Sequence, residues 1–245
     1  MKDNFSKQAD TYAKYRPAYP PELFEFIFDL VKQKELAWDC GTGNGQTAIV
    51  LSKFFSNVYA TDISKKQIDN ATRTTNIQYE VERAEQTKLK NHSVDLITVS
   101  QALHWFDFDR FYEEVKRVSK RDGIIAAWTY SLLEIDPAID KIIRDYHFCT
   151  LEQYWDKERV YVDNAYETIP FPFKKLPVPQ FHIKLNWNLQ QFEGYLNTWS
   201  ALQKFIAKNN YNPVQELIER IKQHWPANEI RPVIFPVHLK VSNVF

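Results

Sequence analysis

The chain has 245 residues, with Lys+Arg 31 against Asp+Glu 31 and a formal net charge of +0. That length suffices for one large domain with a real core, and the charge balance argues against the nucleic-acid backbone as main partner. A charged content of 25% and an aromatic content of 15% exclude global disorder; given the polar start Met1 to Asp10 and the lack of a long apolar run, neither a signal peptide nor a membrane span is expected. The only cysteines, Cys40 and Cys149, make no disulfide framework, so a cytoplasmic location is expected.

In chain order, residues 1–19 are polar with spaced aromatics, among them Tyr12. Pro20 and Pro21 suit a first helical turn, and Leu23, Phe26, Ile27, Leu30 and Val31 follow at helical spacing. Glu35 to Cys40 is a short apolar run ending at glycines. Gln46 to Phe55 reads as a helix, and Val58 to Thr61 as a strand stopping at Asp62. Ser64 and Gln67 have capping-box spacing, so a helix is expected to start at Ser64. Ile77 to Val81 alternates like a half-buried strand and is followed by a weak helix. Val94 to Val99 is a strand buried on both faces. Phe108, Phe111, Tyr112, Val115 and Val118 form a helical stripe. Asp122-Gly123 signals a turn into a strand over Ile124 to Trp128.

Beyond residue 130 the regularity fades. Ile135 to Tyr154 looks helical, Phe181 to Trp187 alternates like a strand, and 189–224 reads as two helices broken at Asn209-Asn210 and Pro213. Val233 to Val244 is a last strand or a pair of short ones. Strand–helix alternation implies an α/β fold: a Rossmann-like, doubly wound, mostly parallel sheet of about seven strands. An antiparallel strand is expected near the C-terminus. The chain is read as a single domain, 1–245. Residues 1–34 are expected to form lid helices and 35–130 a cofactor-binding core, with helical inserts at 131–180 and 188–230 capping the site.

Glycine is scarce at 5 residues, where ordinary usage of roughly 7% would give about 17. Three of them, Gly41, Gly43 and Gly45, fall in one five-residue window between a strand and a helix. Glycine there permits unusual backbone angles and lets a ligand touch the main chain; a ligand-free tight turn is the alternative. The dinucleotide fingerprint wants a sixth-position glycine, and Gln46 stands there instead. Asp62, ending the second strand, can take both hydroxyls of a ribose in any adenosine-type cofactor, or merely cap a helix. Glu85, after the third strand, can read an adenine or be a solvated acid.

Asp39-Cys-Gly-Thr-Gly-Asn-Gly45, Asp62 to Gln67, Ala84-Glu85 and Ser100 to Phe106 together resemble the class I S-adenosylmethionine-dependent methyltransferases, type 11 group. Tyr12 to Pro20 and Ala102 to Asp107 look like the trans-aconitate-methyltransferase-like branch. The resemblance covers residues 5–130 and implies S-adenosyl-L-methionine as cofactor. It implies that Gly41, Gly43 and Gly45 approach its methionine and ribose parts, that Asp39 orients the loop and meets the amino group, and that Asp62 binds the ribose. Ile63 would pack on adenine, and Ala84 and Glu85 would hold its edge. Gln101 and Ala102 would line the methionine side, while Tyr12 and Arg16 lie in a segment folding over the cofactor. Gln67 departs from the apolar residue frequent in the family.

Methyl transfer mainly needs alignment in a dry site, with a general base only for a protonated acceptor. His104 is the candidate base or substrate contact, or else a histidine bonded into the packing beside Trp105. Trp128 and Tyr130 are candidate pocket residues, with a core role as the alternative for Trp128. From the tail, Tyr146, Tyr154, Trp155, Tyr161, Tyr166 and Trp199 could form an aromatic lid, with Arg144, Arg159 and Arg231 as cations. Arg144 and Arg231 are taken as substrate candidates. The expected partner is a small molecule, with a carboxylate as one candidate acceptor, and no nucleic acid, no membrane and no metal is expected. A nicotinamide oxidoreductase is disfavoured, because Tyr112 and Lys116 have its spacing but come too early. A nucleic-acid or protein methyltransferase, and a binding or regulatory protein without turnover, are the remaining alternatives.

Overall fold

The computed structural model describes residues 15–245. Helix α1 (Pro21–Asp29) starts at its expected proline and buries Leu23, Phe24, Ile27 and Phe28. Strand β1 (Leu36–Cys40) leads into α2 (Gln46–Leu51), then β2 (Asn57–Asp62), α3 (Lys65–Asp69) and β3 (Ile77–Val81). The Ser64 hydroxyl accepts the Gln67 N–H and so caps α3, as its spacing implied. No helix lies between β3 and β4 (Val94–Ser100), against expectation; the connection contains an isolated Arg83–Gln86 bridge. A short 3-10 turn, Leu103–Trp105, precedes α4 (Phe108–Val118) and β5 (Ser119–Tyr130).

β5 begins five residues before the expected Ile124. Its pairing with β4 shifts register between Val94 and Leu96, so Asp122-Gly123 sits inside an irregular strand rather than before it. The seven strands run in the order β3-β2-β1-β4-β5-β7-β6. β1 through β5 pair in parallel. β7 (Arg231–Asn243) is a single strand inserted antiparallel between β5 and β6 (Phe181–Trp187). β1 and β4 are buried on both faces, as central parallel strands covered by helices must be. Two apolar clusters result, one on each face of the sheet.

The alternation is interrupted twice. Between β5 and β6 lie α5 (Pro137–Asp145), a π turn over Tyr146–Thr150, a 3-10 turn over Glu152–Tyr154 and the short α6 (Arg159–Asp163). The expected helix over 135–154 therefore ends early. Between β6 and β7 lie three helices: α7 (Leu189–Leu196), α8 (Ser200–Asn209) and α9 (Val214–Ile221). The sequence suggested two helices here, because no glycine or proline marks the break at 197–199. The break falls at Trp199, whose ψ of 128° is extended, and the preceding Thr198 hydroxyl donates to Tyr195 O at 2.6 Å.

Candidate active site

Strand order reverses between β1 and β4, so their carboxyl ends open the crevice of the sheet. The glycine loop leaves β1 there. The N–H groups of Gly41 and Thr42 donate to Thr61 O at 2.8 and 2.9 Å, tying the loop to β2. Gly41, Gly43 and Gly45 have φ of 69°, 58° and 86°, the left-handed region where a side chain is strained. At Gly41 a Cβ would also stand 2.6 Å from the Cβ of Ala102, so the loop is pressed against the segment after β4. At Gly43 a Cβ would meet nothing within 4 Å. Bare main chain thus opens on the cleft. Gly45 faces Tyr79 instead, whose ring leaves no space for a Cβ, and it does not line the cleft.

Asp39 lies under the loop, 1% exposed. Its Oδ2 accepts the Thr42 hydroxyl at 2.5 Å and its Oδ1 the Thr98 hydroxyl at 2.8 Å. Burial pushes its pKa up to about 6, although both hydroxyls pull the other way. It braces the loop from behind the cleft wall. Asp62 does line the cleft, with Ile63, Ser64 and Gln67. Its Oδ2 accepts the Gly43 N–H at 2.9 Å and its Oδ1 the Ser64 N–H at 2.8 Å. The acid therefore fixes the ends of two loops at once. Ala84 and Glu85 do not reach the cleft. Glu85 is occupied by the Asp107 N–H at 3.0 Å and by Arg83 Nε at 3.3 Å.

After β4, Gln101 and Ala102 both line the cleft. Gln101 has φ 55°, an uncommon conformation for a residue with a side chain and a mark of functional sites. Its N–H donates to Trp128 O at 2.8 Å. Its side-chain oxygen accepts the Tyr130 N–H at 3.2 Å and the Thr129 hydroxyl. His104 also borders the cleft, buried to 6% exposure with its ring 4.8 Å from that of Trp105. Burial, with Arg159 acting in the same direction, pushes its pKa down to about 3. The imidazole is therefore neutral at any physiological pH.

Arg16 lines the cleft and donates to the Tyr130 hydroxyl at 2.5 Å and to Thr198 O at 3.4 Å. Tyr12 lies outside the described residues. Tyr130 borders the cleft as expected. Three further candidates lie away from the cleft wall, Trp128 in the core position given as its alternative. Trp128 is fully buried in the core, edge-on to Tyr19 at 5.7 Å and to Phe24 at 5.9 Å. Arg144 is exposed on α5 and absent from the cleft wall. Arg231 is held by Asp136 at 2.6 Å and by Glu229 at 2.9 Å, away from the cleft.

The cation that does reach the cleft is Arg159 at the start of α6, with Trp155, Asp156 and Val162 beside it and Ser200 from α8. Arg159 Nε donates to Asp163 Oδ1 at 2.9 Å, and its guanidinium stands 4.7 Å from the Trp155 ring centroid. Asp156 is paired with Lys204 at 2.5 Å. Arg159 and Asp163 are an i, i+4 pair within α6, a spacing that could have singled out Arg159 from the sequence.

An open α/β sheet with a glycine loop at its switch point and an acid ending the next strand defines a nucleoside-cofactor-binding enzyme fold. Comparisons with known proteins narrow this. The methyltransferase domain family matches residues 38–127. The chain is 33% identical to a candidate methyltransferase of Dictyostelium discoideum over 248 residues, 98% of this chain and 94% of that protein. It is 29% identical over 129 residues to a Saccharomyces cerevisiae protein assigned as an S-adenosylmethionine-dependent methyltransferase, covering 49% of this chain and 44% of that protein. The solved structure of a candidate type II methyltransferase from Anaeromyxobacter dehalogenans superposes with a TM-score of 0.87 at 35% identity, covering 94% of this chain and 99% of that one. The chain belongs to the class I methyltransferase family. It is an enzyme that uses S-adenosyl-L-methionine as its cofactor. Among the described residues no helix is long and apolar enough to cross a membrane.

Proposed function

We propose that this enzyme methylates a small molecule carrying a carboxylate, in the manner of the trans-aconitate-methyltransferase-like branch. The observation that carries the reading is Arg159: a guanidinium lining the same cleft as the glycine loop, held over the Trp155 ring and bonded to Asp163. A guanidinium fixed in this way suits a carboxylate, since less side-chain freedom is lost on binding.

The cleft fits the cofactor on its own geometry. Gly41 and Gly43 offer bare main chain to its methionine and ribose parts, with room over Gly43 that a Cβ would fill. Asp62 is the ribose ligand, with Ile63 and Gln67 toward adenine and Gln101 and Ala102 toward methionine. Arg16 is the candidate for the cofactor's carboxylate. Asp39, Gly45, Ala84 and Glu85 support this wall from behind. When bound, the cofactor supplies an electrophilic methyl group for in-line displacement. The chain's own task is to align the acceptor and exclude water. The two inserts, 131–180 and 188–230, cap the acceptor end, and Trp105, Tyr130 and Trp155 give it apolar walls.

A methyl-release screen across small carboxylates, amines and phenols tests the reading. Turnover of carboxylate-bearing compounds is expected. Arg159→Gln should then lower kcat/KM roughly 10–100-fold, the scale of one charge-assisted hydrogen bond, with cofactor affinity unchanged. Activity confined to amines or phenols without a carboxylate refutes it.

A further inference from the structure

His147 lies in the π turn that follows α5, a helix irregularity frequent at functional sites. It is fully buried and does not line the cleft. It nonetheless engages both supports of Arg159. Its main-chain carbonyl accepts the Trp155 indole N–H at 3.2 Å, and its ring stands 4.7 Å from that of Trp155. Its Nε2 lies 3.2 Å from Asp163 Oδ1, the same oxygen that accepts the Arg159 Nε–H at 2.9 Å. Trp199, just before α8, meets the His147 ring edge-on at 5.5 Å.

The carboxylate decides which way the His147 contact runs. Burial pushes the Asp163 carboxyl up, but the His147 and Arg159 beside it outweigh burial and hold it below the usual carboxylate range. An ionised carboxylate only accepts, so Nε2 of His147 carries the proton and donates it. Burial holds the imidazole below its ordinary value, which leaves the ring neutral at neutral pH and Nδ1 without a proton. Nδ1 is buried and has no hydrogen-bond partner among the described residues, so a second proton there would have nothing to bond. His147 is therefore a fixed, neutral donor to Asp163. Asp163 is 21% exposed, and a single bond to Arg159 would leave its carboxylate free to turn toward water; the second donor pins the oxygen.

We propose that His147 is a positioning residue for Arg159: its carbonyl holds the indole under the guanidinium and its Nε2–H holds the carboxylate beside it, so that Nη1 and Nη2 together take the acceptor. Arg159 spends only Nε on Asp163, and neither Nη group has a hydrogen-bond partner among the described residues. The two Nη groups, presented end-on, match the paired oxygens of a carboxylate. A phenol hydroxyl or an amine offers no such pair. The consequence for the substrate rests on Arg159 being the acceptor's ligand, as proposed above. Loss of His147 should then act on acceptor binding from behind the wall, with no contact to acceptor or cofactor.

The first test needs no acceptor, so its failure is separable from failure of the proposed activity. Nitrogen-15 spectra of the free protein report the His147 tautomer and the solvent exchange of the Arg159 Nε–H, each signal assigned by its loss in His147→Gln or Arg159→Gln. The wild type is expected to show the Nε2–H tautomer and a protected Nε–H. His147→Phe keeps a ring and removes the donor, and Nε–H exchange should quicken roughly 10-fold, the scale of one lost hydrogen bond. His147→Gln, whose amide N–H can replace Nε2–H, should keep the wild-type rate. On the carboxylate acceptor turned over fastest in the screen, His147→Phe should raise KM roughly 10-fold with kcat little changed, and His147→Gln should restore it. S-adenosylhomocysteine affinity should stay the same in both variants. An Nδ1–H tautomer in the wild type overturns the proposal. So does wild-type Nε–H exchange or an unchanged KM in folded His147→Phe protein, or in His147→Leu should the first variant not fold.

Discussion

A carboxylate kept under the glycine loop should cost the protein stability at neutral pH. Asp39 is 1% exposed and is raised from an ordinary value of 3.8 to about 6 in the folded protein. The folded state therefore binds its proton more tightly than the unfolded chain does. Between about pH 4 and about pH 6 the folded state holds more protons, so stability falls as pH rises through that window. A gap of about two units at 1.36 kcal/mol per unit sets the loss at about 3 kcal/mol, complete by about pH 7. Asp39→Asn keeps the volume, offers one acceptor and one donor group to the Thr42 and Thr98 hydroxyls, and carries no charge. Any change in those two hydrogen bonds is the same at every pH, so the pH-dependent part isolates the carboxylate. Urea denaturation of both proteins at several pH values should show the variant gaining about 3 kcal/mol on the wild type from about pH 4 to about pH 7, with no further gain above. A difference that stays flat across that range refutes the burial argument.

Two more substitutions probe the loop. Gly41→Ala places a Cβ 2.6 Å from that of Ala102 at φ 69°; it should cost about 2 kcal/mol or more in denaturation midpoint, and an unaffected midpoint would show that the loop yields easily. Asp62→Ala should weaken cofactor binding by about 1–3 kcal/mol in a calorimetric titration, and unchanged affinity would remove Asp62 from the site.

Much of the fold is legible because buried parallel strands read as short apolar runs, and Val94 to Ser100 shows this clearly. The glycine loop is legible because its three glycines stand out in a chain with five. Legibility fails where tertiary contacts decide. Arg144, Arg159 and Arg231 look alike as residues of a tail. The structure separates them by partner: solvent for the first, Asp163 and Trp155 for the second, Asp136 and Glu229 for the third. Ala84 and Glu85 follow β3 in the expected order, yet the helix-free connection after β3 engages Glu85 with Asp107 and Arg83 behind the cleft. Trp128 ends the apolar run of β5, and Tyr19 and Phe24 bury it on the face away from solvent. The β5 start is hidden because the strand begins in polar residues, Ser119 to Asp122.

The assignment of the cleft to S-adenosylmethionine is tested most directly by calorimetric titration of the purified protein with S-adenosylhomocysteine, and in parallel with NADH. Micromolar binding of S-adenosylhomocysteine, weakened in Asp62→Ala, with no heat from NADH, is the predicted result. No binding of S-adenosylhomocysteine together with binding of NADH would contradict it.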